Sequence, residues 1–135
     1  VSRVLVLDDM PERHEVIGPM LRGLGHDVVE ARSYAEAVEA LSGKRFEEMW
    51  LDHDLEDFEI ADLDAEHAPH LVVPGERTGK TGTHVVEAIC ALPSSKAPRL
   101  VVIHSWNPEG ARRMAAILSG FGIAFSIQPF SPRWS

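Results

Sequence analysis

The sequence predicts an α/β fold built on an open, parallel, five-stranded sheet. Three observations predict it. Apolar runs such as "RVLVLDD" and "RLVVIHS" are continuous rather than alternating, as strands buried on both faces read. Strands alternate with helical patterns through five strands, which implies a parallel sheet with right-handed crossovers. The apolar runs also end in polar side chains, and sheets of this kind place their sites beyond the carboxyl ends of the strands.

Each element has its own signal. "RVLVLDD" is the first strand, and Pro11, a favoured first helical residue, opens the first helix. Val16, Ile17, Met20, Leu21 and Leu24 are its expected inner stripe, Gly25 stops it, and Pro19 within it predicts a kink. "DVVEA" is a short second strand. Ser33 and Glu36 make an S-x-x-E capping box for a helix that runs through Leu41 and ends at Gly43. "FEEMWLD" is the third strand. The stretch at about 56–80 is too long for an ordinary connection and reads as an insertion, acidic in its first half. "THVVEAICAL" is the third helix, with Val85, Val86, Ile89 and Leu92 inward. After the fourth strand, "RLVVIHS", comes a helix capped by Asn107, begun by Pro108 and ended by Gly120 or Gly122. "IAFSIQPF" is the fifth strand, followed by "SPRWS".

The 135 residues form one domain's worth of chain, 1–135, with no repeat or linker. A net charge of −8 argues against duplex nucleic acid or an anionic membrane as the main partner, since both select basic faces. The one cysteine, Cys90, excludes an intramolecular disulfide and suits a reducing compartment. No apolar run approaches the ~20 residues of a membrane span, and the chain enters its first strand with no signal-like segment. The expected location is cytoplasmic.

Read in order, the strand ends deliver Asp8 and Asp9, then Asp52, His53 and Asp54, then His104 and Ser105, then Gln128. Anions that converge unpaired raise one another's pKa, so Asp8, Asp9 and Asp52 together predict a shared cation. Carboxylates joined by one or two imidazoles suit manganese, zinc or iron better than an all-oxygen magnesium site. If "DHD" stays extended, Asp52 and Asp54 point to one side and His53 to the other. His104, on the neighbouring strand, reaches the same crevice, or else is a strand-end histidine bonded to backbone. Asn107 adds an amide and a helix N-terminus suited to an anion, and also serves as a plain cap. A cation beside an anion-binding helix end is what phosphate-ester hydrolysis requires.

Other features read more simply. His53 either joins the site or faces a helix, and Asp54 caps a loop. His67, His70 and His84 read as solvated loop histidines, Cys90 and Trp50 as core, and "EDFEIADLDAE" as a solvated loop. Trp106 either stacks on a base or fills a groove. "PGERTGKT" (74–81) lies one residue from the phosphate-binding loop G-x-x-x-x-G-K-[ST]. Pro74 replaces the first glycine and removes both its donor and its freedom, so the match is a decoy; Lys80 and Arg77 are left as positive charge over the crevice.

The acidic pair after strand one, the Asp after strand three, the hydroxyl after strand four and the residue before Pro129 resemble the receiver domain of two-component signalling. "LDD…R", "WLDHDL", "TG" and "HSWNP-GA" are more closely similar to a divergent branch, the cyclic-phosphate processing receiver-like domain. The resemblance implies a receiver-like (flavodoxin-like) three-layer sandwich of strand order 2-1-3-4-5, here without the last helix. It implies Asp8, Asp9 and Asp52 as ligands of a divalent metal (Mg, Mn or Zn), and Asp52, His104 and His53 as catalytic. Ser105, Asn107 and Gln128 would bind phosphate, and Gly82 matches the glycine that opens the third helix. Gln128 departs from the receiver lysine and offers hydrogen bonds without charge. The expected ligand is a phosphate ester or cyclic nucleotide-type small molecule. Two other readings are a phosphoacceptor that signals through a protein partner and a pseudo-receiver without chemistry. The sheet face left by the missing helix is expected to be covered by a second copy in a homodimer, by the insertion, or by the "PRWS" tail.

Overall fold

The structure, a computed structural model, describes residues 2–55 and 80–134. His67, His70, Arg77, the acidic run and most of the phosphate-loop-like stretch lie outside them. The elements are β1 (Arg3–Leu7), α1 (Pro11–Gly23), β2 (Asp27–Ala31), α2 (Tyr34–Leu41), β3 (Glu48–Leu51), α3 (Gly82–Cys90), β4 (Leu100–Ile103), α4 (Pro108–Gly120) and β5 (Phe125–Ile127). Short 3-10 turns follow at Ser94–Lys96 and Pro132–Trp134. The sheet is parallel throughout, with strand order β2-β1-β3-β4-β5.

Because side chains alternate along a strand, each sheet face carries its own core. Leu5, Leu7, Met49, Leu51, Val101 and Ile103 point to one face and pack under α2, α3 and α4 with Leu41, Val86, Ile89, Met114 and Leu118. Val4, Val6, Trp50 and Val102 point to the other, where Ile17 and Leu21 of α1 cover them together with Phe130 and Trp134 of the C-terminal segment. The result is a three-layer sandwich with four helices among the described residues. Of the three covers expected for the second face, the tail is seated there. The Trp134 ring stands edge-on to Trp50 at 5.4 Å and to Phe130 at 5.5 Å.

Helix ends follow the sequence signals closely. Asn107 Oδ1 accepts from Gly110 N at 3.0 Å, and Pro108 is the first residue of α4. Ser33 Oγ accepts from Glu36 N, but the Glu36 carboxylate takes the N–H of Arg32 rather than that of Ser33. Gly25 and Gly122 adopt φ of +90° and +72° just beyond α1 and α4, the left-handed turn glycine takes without strain. Two expectations are corrected. Leu24, assigned to the inner stripe of α1, is 71% exposed because the helix ends at Gly23 and the chain turns away. His84 is a capping residue, not a loop histidine: its Nδ1 accepts from Thr81 N at 3.0 Å, closing a box with the Thr81 hydroxyl. Cys90 is half-buried against the larger core. The helix passes Pro19 and continues to Gly23. Among the described residues, no helix is long and apolar enough to cross a membrane.

Candidate active site at the strand carboxyl edge

The register of the sheet builds the site. Leu7 pairs with Leu51 and Leu51 with Ile103, so Asp8, Asp52 and His104 are the first residues beyond three adjacent strands. Backbone bonds carry the alignment one step further: Asp52 N donates to Leu7 O and His104 N to Leu51 O, both at 3.0 Å. All three side chains are buried, and each offers a ligand-type atom within 4.8 Å of the other two.

A fourth residue completes the cluster. Arg13, one turn into α1, is 7% exposed; its Nη1 lies 3.2 Å from Asp8 Oδ2 and 3.5 Å from Asp52 Oδ1. Its guanidinium rests against two neighbouring aromatic rings, 4.6 Å from the centroid of Trp106 and 5.3 Å from that of Phe130. Trp106 is fixed in turn by its Nε1–H, which donates to Phe130 O at 2.8 Å. Sequence reasoning met Arg13 only as the last letter of "LDD…R" and gave it no role. The signal was its spacing: five residues after Asp8, on the first turn of a helix that starts at the rim.

His104 Nε2 donates to Asp8 Oδ2 at 2.8 Å, while Met10 N donates to Asp8 Oδ1. This fixes the imidazole with its proton on Nε2. The other nitrogen, Nδ1, is buried and has no hydrogen-bond partner among the described residues. Behind Asp8, His14 Nε2 contacts the Asp8 carbonyl at 2.7 Å and its Nδ1 contacts Glu30 Oε1 at 2.8 Å, fixing the backbone from below.

Burial and charge split the two carboxylates. Burial alone would push Asp8 up, but the His104 bond, the Met10 N–H and the charges of His104 and Arg13 together hold it below the ordinary carboxylate range. At Asp52, burial and then the Asp8 charge outweigh Arg13 and push the carboxyl up to about 7. Burial pulls His104 down from the ordinary histidine value, against the opposing pull of Asp8. Two anions sharing one arginine thus titrate far apart.

The remaining predicted residues do not all join this cluster. Asp9 is half-buried and adds charge that raises Asp52, but its carboxylate is outside the three-residue group. His53 turns to the helical side, with its ring against Gly110 and its Nδ1 2.8 Å from Asp54 Oδ1. Asp54, mostly exposed, is held by His53 and by Asn107 Nδ2, so it sits with His53 rather than with Asp52. Burial raises the Asp54 carboxyl, but these two hydrogen bonds bring it below the ordinary range. Ser105 is buried, and its hydroxyl accepts from Asn107 N at 3.0 Å. Gln128 is exposed just beyond the end of β5, and its amide donates to Ser126 Oγ. Lys80 Nζ lies 5.2 Å from the Tyr34 ring centroid, on the α2 side. Gly82 and Gly110 make the packing possible: a Cβ at Gly82 would overlap the Asp52 carbonyl, and one at Gly110 would fall against the His53 ring.

By donor type, Asp8, Asp52 and His104 suit a divalent ion. The space does not. Such an ion sits about 2.0–2.2 Å from each ligand, and the Arg13 guanidinium already stands between the two carboxylates.

A parallel 2-1-3-4-5 sheet with its acidic cluster at this rim defines a receiver-type domain. The chain belongs to the cyclic-phosphate processing receiver domain family, whose model matches residues 3–120. No curated protein matches the chain. Among solved structures it is similar to a CheY-like response regulator receiver domain from Methylobacillus flagellatus, at 16% identity and a TM-score of 0.66, covering 98% of this chain and 91% of that one. Chemotaxis response regulator CheY4 of Vibrio cholerae is 20% identical, with a TM-score of 0.63 and coverage of 99% and 92%. Response regulator TrrA of Thermotoga maritima, solved with Mg(2+)-BeF, is 19% identical, with a TM-score of 0.60 and coverage of 97% and 88%. At these identities the likeness shows the fold.

Proposed function

We propose that the rim is an active site that hydrolyses a cyclic phosphate or a related phosphate ester. The observation that carries this reading is the convergence of Asp8, Arg13, Asp52 and His104 into one buried, mutually bonded cluster at the sheet edge. The name of the matching family points to the same chemistry. In the proposed reaction, water oxygen attacks phosphorus, one ring P–O bond breaks, and the leaving oxygen takes a proton. His104, neutral and with Nδ1 unpartnered among the described residues, accepts the proton of the attacking water. Asp52, whose carboxyl is raised to about 7, is partly protonated at neutral pH and donates to the leaving oxygen. Arg13 holds the non-bridging oxygens, a role its forked donors suit. The reading brings substrate in past Trp106, which is 60% exposed and covers Arg13. A groove of about 480 Å³ lined by Ser105, Trp106, Arg112, Ile127 and Pro129 gives the organic part of the ester a place.

The test is turnover of a panel of cyclic phosphates by the wild type, Asp52→Asn and His104→Ala. Both variants should lose activity by about 10² or more, and wild-type activity should fall as pH rises through about 7. Full activity in either variant removes that residue from the mechanism. A phosphoacceptor reading draws on the place of Asp52 at the end of β3. A stable phosphoryl adduct after incubation with a small phosphodonor, seen by intact mass, would favour it over hydrolysis.

A further inference from the structure

The receiver fold leads one to expect a divalent ion at this rim, and the placement of Arg13 disagrees. We propose that Arg13 is the resident cation of the site, so that the Asp8–Asp52 pair is balanced by the chain itself and takes up no divalent metal. Three observations support this. The guanidinium reaches both carboxylates, at 3.2 and 3.5 Å, from a helix that begins at the rim. It is held from behind by two aromatic rings, one pinned by a backbone hydrogen bond, so its position is built into the fold. Both oxygens of Asp8 are already engaged: Oδ1 takes Met10 N, while Oδ2 takes both His104 Nε2 and Arg13 Nη1, which leaves one of its acceptor sites open. For a metal to bind, it would have to expel a buried guanidinium and break the His104 bond, leaving a charge without a partner.

The inference concerns charge balance alone and stands whether or not the site hydrolyses cyclic phosphates. It predicts a gain of function. Removing the guanidinium leaves two carboxylates and an imidazole of the right donor type facing one another, so Arg13→Ala should create a metal site. Manganese binding, followed by calorimetry and by the loss of the free-ion paramagnetic resonance signal, is measured on the whole chain. Wild type should show no stoichiometric uptake. Arg13→Ala, or Arg13→Met where the smaller residue does not fold, should bind one ion at least about tenfold more tightly. Adding Asp52→Asn should abolish that gain. The proposal is overturned if wild type binds one ion that Asp8→Asn or Asp52→Asn releases, or if a folded Arg13 variant binds no better than wild type. The wild-type measurement decides the matter even where the variants fail to fold.

Discussion

At the scale of single residues, the central feature is that two carboxylates share one arginine and titrate apart. Asp52 carries the larger consequence for stability. Its folded pKa of about 7 lies above its ordinary 3.8, so the folded chain holds a proton across a range in which the unfolded chain has lost it. The stability that follows is fully present at acid pH and is lost as pH rises from about 4 to about 7. Asp52→Asn should therefore stabilise the protein at pH 8 by on the order of 1–3 kcal/mol, with the advantage shrinking toward pH 4. Thermal melts across that range check it; a variant less stable than wild type at pH 8 would show that the pairing with Arg13 outweighs burial. At this scale the sequence was only partly legible. Asp8, Asp52 and His104 could be read from strand ends because one register governs all three. The role of Arg13 could not, since it depends on which face of α1 meets the rim. The surroundings of Gln128 and Asp54 were less legible, because a residue near a strand end can turn to either side.

At the scale of elements, β3 and the loop beyond it are locked to α3 and α4 by two glycines. Gly82 N donates to His53 O at 2.8 Å, a Cβ at Gly82 would overlap the Asp52 carbonyl oxygen, and Gly110 lies against the His53 ring. Gly110→Ala should displace the His53 ring, break its links to Asp54 and Asn107, and cost about 1–3 kcal/mol. Chemical denaturation gives the cost, and the His53 side-chain resonances report the displacement. Unchanged resonances would show that α4 slides instead. The elements were the most legible part of the sequence, because continuous apolar runs, Pro at helix starts and Ser, Thr or Asn caps act locally. Leu24 was misjudged for the same reason: helical periodicity carries on in the letters after Gly23 has ended the helix.

At the scale of the whole molecule, the second sheet face depends on aromatic residues after β5. Phe130 belongs both to that core and to the stack over Arg13, so the cover of the sheet and the position of the cation are physically linked. Trp134→Ala should uncover Trp50, lower stability by about 1–3 kcal/mol, and shift tryptophan fluorescence to longer wavelength. An unchanged melting temperature would mean that Phe130 and α1 suffice. The parallel sheet and its two-faced core were legible in the alternation of strands and helices, while the strand order came only from the resemblance to receivers. Which of three covers would close the face was not legible, because short aromatic tails carry no periodicity.

The central claim is that a phosphate ester is handled where Asp8, Arg13, Asp52 and His104 meet. Titration of the isotopically labelled protein with a 2′,3′-cyclic nucleotide, followed through its backbone amides and imidazole nitrogens, tests it most directly. The account predicts that the largest shifts fall on Asp8, Arg13, Asp52, His104 and Ser105, with the His104 Nδ1 resonance among them. Saturable shifts confined to another surface would contradict it.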